Sequence, residues 1–262
     1  MRVQDIMDRN HPWIYPDELA TKARAILRDS KLRILPVLGD TKLLLGVVSR
    51  NDVMTISSSV STVRVKGIMS APKFVATLDM DAIQATKAMF SADEWYVPVV
   101  KSQQDATYAG VLGLEHVVRV LYEKKVARLN VQLAAIMSTK DILVCAPDDE
   151  ADNVWRKMKE RSFAACPVVT KNKTIGIVTL QNLIESGATF PTFEAKKGRF
   201  KAPSTIFTMM RTPVLSLKPS DTVGDAARLM LQKNIGRIPI VDEKRRLVGI
   251  VDREDVLKAL IK

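Results

Sequence analysis

One skeleton recurs four times along this chain of 262 residues. An apolar residue followed by Met is followed about thirty residues later by Pro in apolar sequence, and then by Gly opening a seven-residue run. The methionines are Met7, Met69, Met137 and Met210, and the prolines are Pro36, Pro98, Pro167 and Pro239. The glycines are Gly46, Gly110, Gly176 and Gly249, and the runs close on Asp52, His116, Asn182 and Asp255. Met to Pro spans 29, 29, 30 and 29 residues, and Gly to the closing residue is always 6. Spacing that holds while the intervening residues drift marks a duplicated structural unit.

Each unit reads in the same order. In the last, PVLSL is a strand and PSDTVGDAARLMLQKN a helix opened by capping residues, with Ala226, Ala227, Met230 and Leu231 at helical spacing. RIPIVD and RLVGIVD are two further strands across a charged turn, and REDVLKAL is a closing helix. The first unit gives WIYPD, ELATKARAILRDS, RILPVLGD, LLLGVVS and RNDVMTIS, and the third gives DILVCAPDD, EADNVWRKMKERS, ACPVVTK, TIGIVT and LQNLIES. The second is less regular, with YVPVVK and YAGVLG held apart by SQQDAT. The fold class is therefore α/β (α+β), four β-α-β-β-α repeats. A unit of about sixty residues leaves one sheet face and two helices in apolar surface, so each should pair with a neighbour.

These elements resemble CBS domains, the modules named after cystathionine β-synthase. The resemblance rests on the strand-Pro elements RILPVLGD, YVPVV, ACPVV and RIPIVD and on GVVSRND and GIVDRED, with weaker versions GVLGLEH and GIVTLQN. It rests also on the IM or MM that opens each unit, and it covers nearly the whole chain. It implies domains at residues 1–60, 61–125, 129–187 and 202–262, paired as two Bateman modules, 1–125 and 129–262, in a flat disk-like arrangement. It also implies binding of adenosine compounds such as AMP, ADP, ATP or S-adenosylmethionine in the clefts between paired domains, and regulation of a partner.

At such a cleft, a hydroxyl at the fourth position of the Gly run and the amides of the next helix can hold phosphate, while the closing carboxylate accepts bonds from ribose. Ser49 and Asp52 fit this pattern. Thr179 keeps the hydroxyl, but Asn182 replaces the acid and would hold ribose more weakly. Asp255 is retained in the fourth unit, yet Asp252 stands where the hydroxyl belongs and would repel phosphate unless Arg237 compensates. Gly113 and His116 argue against a site of this kind in the second unit. Against all of these stands a plain structural role, since Gly at a strand end and Asp opening a helix are also what a turn and an N-cap require.

Charge is the unusual bulk property. Forty Lys and Arg against 29 Asp and Glu give a net charge of +11, which favours polyanionic partners. The excess is larger in residues 129–262 (+7) than in 1–128 (+4). The segment at 188–201 is a basic loop, in which Lys196, Lys197, Arg199 and Lys201 alternate with aromatic residues including Phe200. Cations can neutralise phosphates there while phenyl rings stack on unpaired bases, although solvated charge and core-anchoring phenylalanines explain the same pattern. Between repeats two and three, LYEKKVARLNVQL is polar at helical spacing and reads as a continuous connecting helix.

Two histidines, two cysteines in apolar strands and the lack of a P-loop, zinc spacing or nucleophile elbow argue against an enzyme and against a bound metal. Cys145, Cys166, Trp155 and Met158 read as core. Two cysteines make no disulfide framework, no charged-then-apolar leader precedes the first repeat, and the apolar runs fall short of the roughly 18 residues of a membrane helix, so a cytoplasmic protein is expected. With the repeats filling the sequence, any effect is expected to fall on a separate partner. The expectation is a non-catalytic regulator that binds adenosine nucleotides and acts on RNA or a ribonucleoprotein such as the ribosome. The alternatives are a nucleotide-sensing subunit of a kinase or metabolic enzyme and a scaffold with vestigial sites, with homodimerisation open.

Overall fold

The computed structural model describes residues 1–56, 61–187 and 204–262. Each repeat contributes a helix, an antiparallel hairpin and a second helix. The first has α1 (Ala20–Asp29), β1 (Ile34–Leu38), β2 (Leu44–Ser49) and α2 (Arg50–Met54). The second has β3 (Ala76–Thr77), α3 (Ala82–Ser91), β4 (Tyr96–Val100), β5 (Tyr108–Gly113) and α4 (Leu114–Glu123). The third has α5 (Ala151–Glu160), β6 (Ala165–Thr170), β7 (Lys173–Thr179) and α6 (Leu180–Glu185). The fourth has α7 (Val223–Lys233), β8 (Arg237–Val241), β9 (Leu247–Asp252) and α8 (Arg253–Leu260).

The hairpins explain the Pro-Gly spacing. Pro36, Pro98, Pro167 and Pro239 face Val47, Val111, Ile177 and Ile250, and the next residue in each strand faces the repeat's glycine, just before a register shift. Proline has no amide to donate and is confined to positions where none is needed. Its carbonyl is used: Pro36, Pro167 and Pro239 accept from the amides of Ile14, Cys145 and Leu217 at 2.9, 3.1 and 3.2 Å. Those bridges are all that remains of the leading strand in repeats one, three and four; only repeat two forms it, as β3 parallel to β4.

The segments that open the repeats are exchanged between neighbours. Val3 donates to Met80 O of repeat two and Val65 to Glu18 O of repeat one, at 2.9 and 2.8 Å. Leu133 donates to Asp221 O of repeat four and Ile206 to Asp149 O of repeat three, at 2.8 and 2.9 Å. The four apolar anchors Val3, Val65, Leu133 and Ile206 are fully buried. The methionines then reach the partner's glycine: a Cβ on Gly46, Gly176 or Gly249 would meet the sulfur of Met69, Met210 or Met137. Repeats one and two also join at their hairpins, through Leu44 N to Ala106 O at 3.1 Å, and three and four through Thr174 N to Arg245 O at 2.9 Å.

The helices pair the other way. One core joins repeats one and three, with Leu27, Val53, Trp155 and Leu183; the other joins two and four, with Met89, Val117, Met230 and Leu257. Deleting one such side chain to Ala removes about 2–5 kcal/mol. Cys145, Cys166, Trp155 and Met158 are all buried, as their apolar settings predict. The continuous connecting helix expected after repeat two does not form. Helix α4 ends at Glu123, Lys125 takes a left-handed φ of 50°, and Ala127–Asn130 is a separate short turn. Breaking the helix there lets Val126, Leu129 and Val131 pack on the core of repeats two and four.

Candidate functional site

The fourth and seventh residues of each Gly run meet at the N-terminus of the helix that follows. Ser49 donates from its amide and from Oγ to Asp52 Oδ2, both at 2.7 Å, and Asp52 N donates back to Ser49 Oγ at 3.4 Å. Thr179 and Asn182 repeat the exchange, with Thr179 N and Oγ1 donating to Asn182 Oδ1 at 3.0 and 2.8 Å. Asp252 N donates to Asp255 Oδ2 at 2.9 Å, and Gly113 N donates to His116 Nδ1 at 3.1 Å. Each closing residue thus satisfies a helix-start amide. That task needs only an acceptor, which is why Asn and His serve where Asp stood. Burial holds the His116 imidazole below its ordinary pKa, favouring the neutral ring, and the Gly113 amide selects the tautomer whose Nδ1 accepts.

A cavity of about 260 Å³ opens between repeats three and four, lined by Lys140, Ile142 and Phe163 from one and by Arg237, Ile250, Asp252 and Asp255 from the other. Two of the sequence-predicted residues, Arg237 and Asp255, come together here. Ser49 with Asp52 and Thr179 with Asn182 pair within their own repeats and do not line it. Arg237 Nη2 lies 3.6 Å from Asp252 Oδ2, so the acid that would repel a phosphate is met by a guanidinium. Burial, then the neighbouring Asp252, push the Asp255 carboxyl up to about 7.

Arg237 is held from behind by repeat two. Its guanidinium carbon lies 4.4 Å from the centre of the Trp95 ring, and Arg33 of repeat one lies 5.7 Å from the same ring and 5.5 Å from Tyr96. Stacking on an aromatic face fixes a cation without neutralising it, leaving its donors for a ligand. Sequence reasoning missed Trp95, Arg33, Lys140 and Phe163, which belong to three other repeats and carry no motif. Lys196, Lys197, Arg199, Phe200 and Lys201 of the basic loop lie outside the described residues. Among the described residues no helix is long and apolar enough to cross a membrane.

Four helix-hairpin-helix repeats with exchanged openings and capped Gly runs define a class, and the sequence profile of the CBS domain matches residues 3–59, 133–188 and 206–262. The chain belongs to the CBS domain family. Repeat two, outside those matches, carries the same elements in the structure. Uncharacterized protein MJ1225 of Methanocaldococcus jannaschii is 23% identical over 267 residues, covering 94% of this chain and 93% of that one. The crystal structure of MJ1225, presented as a proposed archaeal homolog of g-AMPK, matches with a TM-score of 0.87 over 98% of this chain and 99% of that one, at 22% identity. An uncharacterized conserved protein from Pyrococcus horikoshii matches with a TM-score of 0.66 over 99% of this chain and all of its own, at 20% identity. At these identities the likeness is one of fold.

Proposed function

We propose that the protein is a regulatory, non-catalytic sensor that binds an adenosine nucleotide in the cavity between repeats three and four. The observation that carries this is the convergence of Arg237 and Asp255 on one cavity that also has apolar walls. Asp255 would accept from ribose hydroxyls, Arg237 and Lys140 would hold phosphate, and Ile142, Phe163 and Ile250 offer surface for the base. Family membership supports the reading, since CBS domains commonly bind adenosine compounds. Ser49 with Asp52 and Thr179 with Asn182 are secondary candidates. Calorimetry and thermal shift with AMP, ADP, ATP and S-adenosylmethionine test it. Saturable binding lost in Asp255→Ala and in Arg237→Ala is expected, and no rise in melting temperature with any of the four at millimolar concentration would sink it.

The net charge of +11 favours a polyanion, RNA or a ribonucleoprotein, as the regulated partner in the cytoplasm. Nucleotide would act by favouring one relative arrangement of the repeats, which the partner then selects. Recovery of RNA with the protein at low salt and its loss at high salt is the expected result. A salt-insensitive protein partner would instead favour an energy-sensing subunit.

A further inference from the structure

A second pocket, of about 180 Å³, lies where the hairpin tips of repeats three and four meet, just ahead of their Gly runs. Its lining is Lys173, Thr174 and Ile175 from the start of β7, Thr212 and Pro213 after Met210, and Arg245 from the turn before β9. The internal repeat supplies a control for it. Counting back from the glycines and forward from the methionines, the same places in repeats one and two are Leu43, Leu44, Leu45, Ala71, Pro72 and Ala106. The two junctions share a backbone bond, Leu44 N to Ala106 O at 3.1 Å and Thr174 N to Arg245 O at 2.9 Å, and the first adds Tyr108 N to Lys42 O at 2.9 Å. Four of the six places have changed from apolar to polar or charged.

Thr212 Oγ1 donates to Ile175 O at 3.0 Å, a structural role, but folding does not explain the change at Thr174. Thr174 is 1% exposed and its Oγ1 is buried with no hydrogen-bond partner, a condition that destabilises a protein by about 1–3 kcal/mol. Leucine at the equivalent place shows that this backbone accepts an apolar side chain there. The carboxylates of the neighbouring turn are engaged elsewhere: Asp242 pairs with Arg246 at 2.6 Å and Glu243 with Lys218 at 2.8 Å. Lys173 and Arg245 are exposed beside the buried hydroxyl. Two cations and a hydroxyl donor around a small pocket are the donor set of a phosphate.

We propose that Lys173, Thr174 and Arg245 form a binding site for a phosphate-type oxyanion, present at the hairpin junction of repeats three and four and lost or never gained at that of one and two. The anion would accept from the Thr174 hydroxyl and be neutralised by the two cations. It would thereby tie the two hairpin tips together, adding to the bond from Thr174 N to Arg245 O.

The test is calorimetric titration of the full chain with inorganic phosphate. Saturable binding at millimolar concentration or tighter is expected, weakened at least about tenfold in Thr174→Val and abolished in the Lys173→Leu/Arg245→Ala double variant, which installs the residues of the sister site. Thr174→Val is also expected to melt higher than the parent without phosphate, because it removes the unpartnered hydroxyl. Both altered cations are exposed, so the double variant keeps the test decisive should Thr174→Val fold poorly. No saturable heat with the parent, or unchanged affinity in the double variant, would overturn the proposal. Repeating the titration in Asp255→Ala with AMP as competitor distinguishes the source: competition assigns the site to a nucleotide phosphoryl group, and its absence to free phosphate.

Discussion

Arg253, at 1% exposure, places Nη1 3.1 Å from Glu115 Oε2 across the helical interface between repeats four and two. The same guanidinium donates to Tyr96 Oη at 2.6 Å and to Asn234 Oδ1 at 3.2 Å. Its counterpart Arg50, also the first residue of its helix, donates instead to the carbonyls of Leu32 and Lys31 at 2.7 and 2.6 Å, and burial lowers its pKa to about 9. The place of Glu115 is taken there by Gln181, whose Oε1 is buried without a partner. The two helical interfaces are thus alike in backbone and unlike in charge.

Breaking a buried ion pair from one side strands the other charge. Glu115→Gln or Arg253→Met is therefore expected to destabilise by about 3–5 kcal/mol, and the double variant by less than the sum. Urea denaturation of the four proteins checks this. Additive losses would show that the pair is not coupled.

Gly110 has φ of 156°, and a Cβ there would lie 2.5 Å from the carbonyl oxygen of Asp8 in the exchanged segment of repeat one. Gly110→Ala should lower stability by about 2 kcal/mol or more. Gly67→Ala, where the nearest atom would be 3.7 Å away, should change it little. Equal melting temperatures for the two variants would contradict the close approach.

Asp255 titrates near 7 rather than at the ordinary 3.8. Between those values the native protein holds a proton that the unfolded chain has released, so stability falls as pH rises through that window and the loss is complete above it. Asp255→Asn keeps an acceptor for Asp252 N and removes the titration. It is expected to stabilise by on the order of 1–3 kcal/mol above neutrality and to flatten the pH profile, while weakening nucleotide binding. Parallel pH profiles for parent and variant would count against a raised Asp255.

Cys166 is fully buried, and a hydrogen bond with Cys145, then burial, push its thiol pKa upward. Neither thiol should react with an alkylating reagent in the native protein near neutral pH, and both should react in urea. Labelling followed by mass spectrometry checks this, and rapid native labelling would show that the core of repeats one and three opens readily.

The hairpins were legible because their signals are local: Pro needs no amide, Gly permits close approach, and the strand ends fall where YVPVV and YAGVLG place them. Asp52, Asn182 and Asp255 were legible as a pattern but not as a role, because a helix cap and a ribose acceptor ask for the same atom. The break at Lys125 was hidden, since Lys is a good helix former and only packing of Val126 and Leu129 against another repeat outweighs its preference.

The sequence by itself determined the number of repeats, the order of their elements and their membership in one family, because those depend on periodicity and on residues near one another along the chain. Only the tertiary structure decided that Met69, Met137 and Met210 lie against a partner's glycine and that the helices pair one with three and two with four. It also decided that Trp95 and Arg33 stand behind Arg237, and that Thr174 buries a hydroxyl where its sister carries Leu44. Such contacts join residues up to some two hundred positions apart, and which ones form depends on how all four apolar faces are covered at once.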